Sequence, residues 1–420
     1  MPKRVVIVGG GFGGLTVARG LKRADAEILL IDHTNHHLFQ PLLYQVASAA
    51  LSPADIAVPI REILRDQENA TVLMGKVEEV KAADKTIRLG SGEEIAYDYL
   101  VLAVGARHSY FGNDSWEQHA PGLKTLRDAL HIRQHLLISF EKAERLETPE
   151  KAAPYLNFVV IGGGPTGVEM AGAIAEIAYK TMLRNFRKIS PQKAQIWLVE
   201  ALPEILPSYA PSLAIKARLA LEELGVKVLT GKKVTSITEN GVQVEDLFLP
   251  SRNIIWAAGN QASPLLKTIG VPLDRQGRTI VEPDLSVPGH SELFVIGDAA
   301  HCKDAKGNPL PGIAPPAIQQ GKFLAKLLKA ELAGTSKRSS FSYFDKGSMA
   351  TIGRFRAIAQ MGKLKCSGML AWLAWCFIHI LYLIGFRNRF FVLMQWLYTL
   401  TTSQRGARLI YRCIEDELRR

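Results

Sequence analysis

The chain has 420 residues, 47% apolar and 22% charged; this composition excludes a wholly disordered or fibrous chain, and the length predicts two or three domains rather than one core. The formal charge is +11, and residues 361–420 hold nine Lys and Arg against three acids, a local excess that suits an anionic membrane surface or nucleic acid. Neither C-x-x-C nor metal-ligand spacing occurs among Cys302, Cys366, Cys376 and Cys413, and MPKRVVIVGG lacks a cleavable apolar leader, so a reduced, cytosolic setting without export is expected.

From the N-terminus, VVIV reads as a buried parallel strand, followed by Gly9, Gly11 and Gly14 in G-x-G-x-x-G register and a helix through LTVARGLKRA. Glycine lets the chain turn tightly and approach a pyrophosphate, which the helix N-terminus attracts with unpaired N–H groups. Phe12 and Gly13 complete this loop, and AEILLID ends in Asp32, eighteen residues after Gly14, where an acid can bind ribose hydroxyls. His36 and His37 are adjacent, point in different directions on a strand or helix, and so predict no metal pair.

FVVIGGGPTGVEM repeats the arrangement with Gly162, Gly164, Thr166 and Gly167, then an alanine-rich helix VEMAGAIAEIAYK, a basic insert LRNFRKISPQK and a strand QIWLVE ending in Glu200. A carboxylate followed by Ala201 and Leu202, with no arginine, favours a free 2′-hydroxyl and hence NADH over NADPH. Two such loops imply one resident and one visiting dinucleotide, the resident being a flavin, because a nicotinamide pair gains little by exchanging hydride with itself. Glu169 stands in the first turn of the second helix, where a carboxylate also suits the helix dipole.

Toward the C-terminus, GTSKRSS (residues 334–340) reads as a short disordered stretch. GMLAWLAWCFIHILYLIGF (residues 368–386) has no formal charge and the length of a membrane span, yet Trp372, Trp375, His379 and Tyr382 fall on one helical face. Such residues favour the headgroup boundary, so the expectation is a helix lying in the membrane plane, with a single span or burial against protein as alternatives. FRNR, the apolar FFVLMQWLYTL and a basic tail through Arg405, Arg408 and Arg412 follow, their cations expected at anionic headgroups. Nucleic acid is not expected, since the aromatic residues sit inside apolar runs and no zinc or RNA-binding pattern occurs.

In this order the motifs resemble those of the two-dinucleotide flavoproteins, and within them the type II NADH:quinone oxidoreductases, over essentially the whole chain. The resemblance implies an α/β fold of two Rossmann-like dinucleotide-binding domains, the FAD domain discontinuous and the NADH domain inserted, plus a C-terminal helical membrane-associating segment. Boundaries follow as 1–118 and 277–335 for FAD, 119–276 for NADH and 336–420 for membrane anchoring. It also implies FAD contacts at Ala103 and Gly105 of VLAVGAR, with Val104 where the family has threonine, and at Gly297 and Asp298 of FVIGDAA. Asp298 also reads as a helix N-cap. On the nicotinamide side, Ala258 and Gly259 resemble the corresponding turn. The quinone motif maps to Ala314, Pro315, Ala317 and Gln319, with Pro315 replacing the first glutamine, so that Gln319 carries the amide.

For Glu169 the resemblance implies a proton relay to the quinone. The expected enzyme passes a hydride from NADH to FAD and two electrons to ubiquinone or menaquinone without proton pumping, as a homodimer held peripherally on the cytoplasmic face of the inner membrane. Redox-disulfide relatives are set aside because the first cysteine is Cys302, which reads as a packing residue. Two rivals are a soluble NADH-dependent ferredoxin or rubredoxin reductase and a non-enzymatic flavin redox sensor.

Overall fold

The computed structural model describes residues 2–335 and 337–411, so Arg412 and Cys413 lie outside the described residues. The chain divides into two compact units, the first made of Met1–Leu38, Ala57–Arg107 and Asn260–Lys346, the second of Phe39–Ile56, His108–Gly259 and Gly347–Arg420.

The first unit is built on a six-stranded sheet in the order Ser286–Val287, His290–Val295, Tyr99–Leu102, Lys3–Val8, Ala26–Asp32, Ala70–Met74. All but the first pair run parallel. Val5, Val6 and Ile7 are fully buried, which is why the central strand reads as an unbroken apolar run. The helix Phe12–Gly20 packs on the helix Ala314–Leu332. A Cβ on Gly20 would lie 2.5 Å from that of Ala325, and one on Gly321 would lie 2.7 Å from the Gly13 carbonyl oxygen. Only small residues allow so close a crossing.

The second unit contains a four-stranded parallel sheet in the order Val226–Leu229, Gln195–Val199, Asn157–Ile161, Asn253–Trp256. The helix Pro165–Glu176 leaves the central strand and continues as a π-helical turn, Ile177–Thr181. An antiparallel meander, Ser348–Gly353, Arg356–Met361 and Leu364–Ser367, packs against the helix. The helices Met369–Tyr382 and Phe386–Thr402 follow.

These units differ from the expected boundaries: the first runs on to Lys346 rather than ending at 335, the tail from Gly347 joins the second unit rather than standing apart, and three further differences have a packing reason. Ala262, Leu265, Leu266 and Ile269 join the core of the first unit, so that core reclaims the chain from Asn260 rather than from 277. Tyr110 stacks on Trp256 with ring centres 5.0 Å apart, drawing residues 108–118 into the second unit. The segment Phe39–Ile56, early in the sequence, also packs there, its helix Leu43–Ala47 against both Leu126–Arg145 and Pro165–Glu176.

In the tail, the face expected at the headgroup boundary turns inward. Trp375 is 2% exposed and stacks on His379 at 4.1 Å, with Trp396 at 5.5 Å. Trp372 packs edge-on to Phe355, leaving Tyr382 the most exposed of the four. The His379 Nδ1 meets the Trp375 carbonyl and the Trp396 indole N–H donates to Gln45, whereas the buried Trp375 indole N–H has no partner among the described residues and its ring is held by stacking. The opposite face presents Leu370, Leu373, Phe377 and Leu381 outward. The first tail helix has 14 residues, about 21 Å of rise, against a hydrocarbon core of ~30 Å. Among the described residues no helix is long and apolar enough to cross a membrane.

The basic tail is also corrected. Arg405 is 5% exposed and binds Glu176, and Arg389 caps the carbonyls of Leu381 and Leu383; neither is free for headgroups. In the stretch expected to be disordered, Arg338 is ion-paired with Asp284 and Glu331, while Ser336 lies outside the described residues.

Candidate functional site

Each unit carries one glycine loop, and the two are built alike. In the first, Gly9 has φ +105°, and a Cβ there would strike the Ala103 carbonyl; a Cβ on Gly14 would strike the carbonyl of Gly9. Gly11, by contrast, borders open space and caps its helix with no side chain. The first turn, which no side chain caps, thus stands beside a space that a side chain would fill, as a pyrophosphate requires. Ala103 extends the sheet by donating its N–H to Val8, and Gly105 turns with φ +65°.

The second loop repeats each feature. Gly162 has φ +111°, and a Cβ there would lie 2.7 Å from the backbone of Ala257 and Ala258; Gly164 borders open space and caps its helix without a side chain. A Cβ on Gly167 would strike the Gly162 carbonyl. Pro165 is the first helical residue, with Thr166 next, and Gly259 turns at φ +71° against Phe111.

Both acids have a duty the sequence did not show. Asp32 Oδ2 accepts the Gly10 N–H at 2.6 Å, and Oδ1 accepts the N–H and hydroxyl of Thr34. Glu200 accepts the Gly163 N–H and, at 2.8 Å, the Leu202 N–H. Each carboxylate ties down its own glycine loop and keeps spare lone pairs, so the residues fit a ribose as well. His37, buried beside Phe12, directs Nδ1 at the Gly10 carbonyl, while His36 faces Asn35.

Asp298 follows Gly297, whose φ is +70°, and lines a polar cavity of about 80 Å³ with Gln276, Arg278 and Gly312. The Gly297 N–H donates to Gln320, which is 1% exposed. Gln319 is committed elsewhere: its amide donates to the Phe344 carbonyl at 2.9 Å and accepts the Phe344 N–H at 3.0 Å. Ala314 and Pro315 start the helix, and Ala317 is buried under Gly297. Burial pushes the Cys302 thiol up, as suits a packing residue.

Within the second unit lies a larger cavity, about 110 Å³, walled by Tyr44, Gln45, Glu169, Glu176, Trp375 and Trp396 among others. Glu169 is partly buried in the cavity wall; the Thr351 N–H, 3.4 Å away, is its hydrogen-bond partner. Burial pushes its carboxyl up to about 8, outweighing that bond, so at neutral pH it holds a proton. Glu176, seven residues on, stays ion-paired: Arg354 N–H at 2.7 Å and Arg405 at 3.1 Å share its two oxygens, and Arg405 also donates to the Ser48 carbonyl.

Glu176, Arg405 and the tryptophans were not foreseen as site residues. One signal was readable: VEMAGAIAE places two acids on the same face of an otherwise small and apolar helix.

Comparison with known proteins follows this geometry. Residues 3–321 match the pyridine nucleotide-disulphide oxidoreductase family and residues 346–403 the NDH2 C-terminal domain. The type II NADH:quinone oxidoreductase Ndh of Mycobacterium tuberculosis is 46% identical, covering 96% of this chain and 89% of its own length. A second enzyme of that organism, NdhA, is 45% identical over 94% and 86%. In fold, the chain is similar to NDH2 from Plasmodium falciparum, solved in complex with NADH, with a TM-score of 0.89 at 21% identity over 97% of this chain and 99% of that one.

Proposed function

The chain belongs to the type II NADH:quinone oxidoreductases, and we propose how its two units divide that work. It takes electrons from NADH and delivers them to a quinone through FAD. When bound, FAD supplies a ring that accepts a hydride and gives back two electrons. The first unit would hold it: the amides from Phe12 to Gly14 face its pyrophosphate across Gly9 and Gly11, Asp32 takes the ribose hydroxyls, and Ala103, Gly105, Gly297 and Asp298 line its remaining length. In the second unit, Gly162, Gly164, Thr166 and Gly167 face the pyrophosphate of NADH and Glu200 its adenosine ribose, with Ala258 and Gly259 closing the turn.

The quinone, in this proposal, is served by the cavity of the second unit, and one observation carries the reading. A protonated, partly buried Glu169 shares that cavity with Trp375 and Trp396, which belong to helices whose other faces present Leu373, Phe377 and Phe390 outward. A lipid-soluble acceptor needs an apolar approach and a proton source; Glu169 at neutral pH can donate a proton to a reduced quinone oxygen. With Gln319 bound to Phe344, the motif at Ala314–Gln319 is a weaker candidate for direct contact. The outward apolar faces would lie in the membrane surface, in plane, as befits helices too short to span. Residence on the cytoplasmic face and pairing as a homodimer complete the proposal on family resemblance.

The test is an anaerobic titration of the purified yellow protein in lipid. NADH should bleach the flavin, and added quinone should restore it through many turnovers; restoration by an iron–sulfur protein alone would refute the assignment.

A further inference from the structure

We propose that Tyr44 is the hydrogen-bond donor that seats one carbonyl oxygen of the quinone, its hydroxyl aimed by Trp396 acting through Gln45. This rests on the assignment of the second unit's cavity as the acceptor site. The argument is one of hydrogen-bond polarity. The Trp396 indole N–H donates to Gln45 Oε1 at 2.7 Å, and an indole nitrogen can only donate. That fixes which end of the Gln45 amide is oxygen, an orientation otherwise ambiguous. The opposite end, Nε2, then donates to the Tyr44 hydroxyl oxygen at 2.9 Å.

Tyr44 therefore receives a hydrogen bond from Gln45, and its own proton must leave in another direction. Among the described residues it meets no acceptor, although Tyr44 is only 7% exposed and lines the cavity. A buried hydroxyl proton without a partner is costly, so the arrangement favours a ligand that brings an acceptor oxygen. Burial, followed by the nearby carboxyl of Glu169, holds the phenol well above its ordinary ionisation range; it stays a neutral donor. A quinone carbonyl is such an acceptor, with a ring that suits the indole of Trp375. Gln45 and Trp396 need not touch the quinone, and are positioning residues.

The three partners come from two segments far apart: Tyr44 and Gln45 are neighbours, while Gln45 and Trp396 are separated by 351 positions. The tail thereby sets the polarity of a donor in the early segment.

The test uses the full-length FAD-loaded protein and a short-chain benzoquinone with 13C-labelled carbonyls. All six tryptophans lie in the second unit, so quenching of their emission reads quinone binding directly. Tyr44→Phe should weaken binding and raise KM by roughly five- to tenfold, with a smaller change in kcat. It should also move one bound carbonyl stretch to higher frequency. Trp396→Phe should give part of this loss in the wild-type background and none in Tyr44→Phe, a coupling that a merely structural indole would not produce. FAD content and the emission spectrum report folding of each variant. Unchanged binding and an unchanged stretch in Tyr44→Phe, or equal losses from Trp396→Phe in both backgrounds, would overturn the proposal while leaving the cavity assignment intact. A wild-type protein whose tryptophans the quinone leaves unquenched would remove the assignment itself.

Discussion

Replacing Glu169 with glutamine should stabilise the second unit at neutral pH and leave it unchanged in acid. Burial pushes this carboxyl from its ordinary 4.5 to about 8. The folded protein thus keeps the proton through a range in which the unfolded chain releases it. With the folded value raised, the group's contribution is fully present below pH 4.5, declines as pH rises, and reaches its lowest level above pH 8. A tenfold change in proton affinity corresponds to about 1.36 kcal/mol, so the cost of retaining Glu169 is about 1 kcal/mol at pH 5, about 3 at pH 7, and approaches about 5 above pH 8. Glutamine can keep the bond to Thr351 without the titration, and removes that cost. Urea unfolding of the FAD-loaded protein, followed by tryptophan emission, isolates this unit because every tryptophan lies in it. The difference between Glu169→Gln and wild type should grow from pH 5 to pH 8 by several kcal/mol. A difference independent of pH would refute the claim that Glu169 is held protonated. The same variant should reduce quinone more slowly, the exchange of function for stability expected where a site keeps an unfavourable group.

The two faces of the glycine loop can be separated. Gly11→Ala meets open space at φ −72° and should fold normally yet lose FAD on gel filtration, whereas Gly14→Ala drives a methyl into the Gly9 carbonyl and should lower the melting temperature and soluble yield. Arg405→Met leaves the partly buried Glu176 without its cation and should cost about 1.5–3 kcal/mol by the same urea assay; Glu176→Gln on that background should recover part of the loss. Phe377→Glu lies on an exposed face, so stability should change by less than about 0.5 kcal/mol, while flotation with anionic liposomes should fall sharply if that face enters lipid.

The Rossmann cores were legible because their information is local. Val5 to Val8 and Phe158 to Ile161 are each flanked by parallel partners in the sheet, so one apolar run reports one strand. The glycines after them answer to backbone contacts within the same unit, such as Gly14 on Gly9, and their spacing survives in the sequence as a pattern. The tail meander was not legible: SMATIG, RAIAQM and LKCS are short, mixed in polarity and poor in β-branched residues. What makes them strands is the packing of Ser348–Gly353 on the helix Pro165–Glu176, where a Cβ on Gly172 would strike the Ile352 carbonyl.

The cavity was harder still, because its polar bonds join positions with no sequence relation: Thr351 to Glu169 across 182 residues and Arg405 to Ser48 across 357. A cation in a basic tail and an indole in an apolar run look the same whether they meet lipid or protein. Periodicity placed Trp372, Trp375 and His379 on one face correctly, but a stripe does not say which side is solvent. Hydrogen bonding decides only part of it: the Trp396 indole meets Gln45 and the His379 imidazole meets the Trp375 carbonyl, while the Trp375 indole N–H is buried without a partner among the described residues and its ring is held by stacking on His379 and Trp396. The face left over is aliphatic and phenylalanine, with nothing to satisfy. The side chains that resemble membrane anchors therefore wall the cavity of the second unit, and the plain apolar residues beside them, Leu370, Leu373, Phe377 and Leu381, are the ones turned outward.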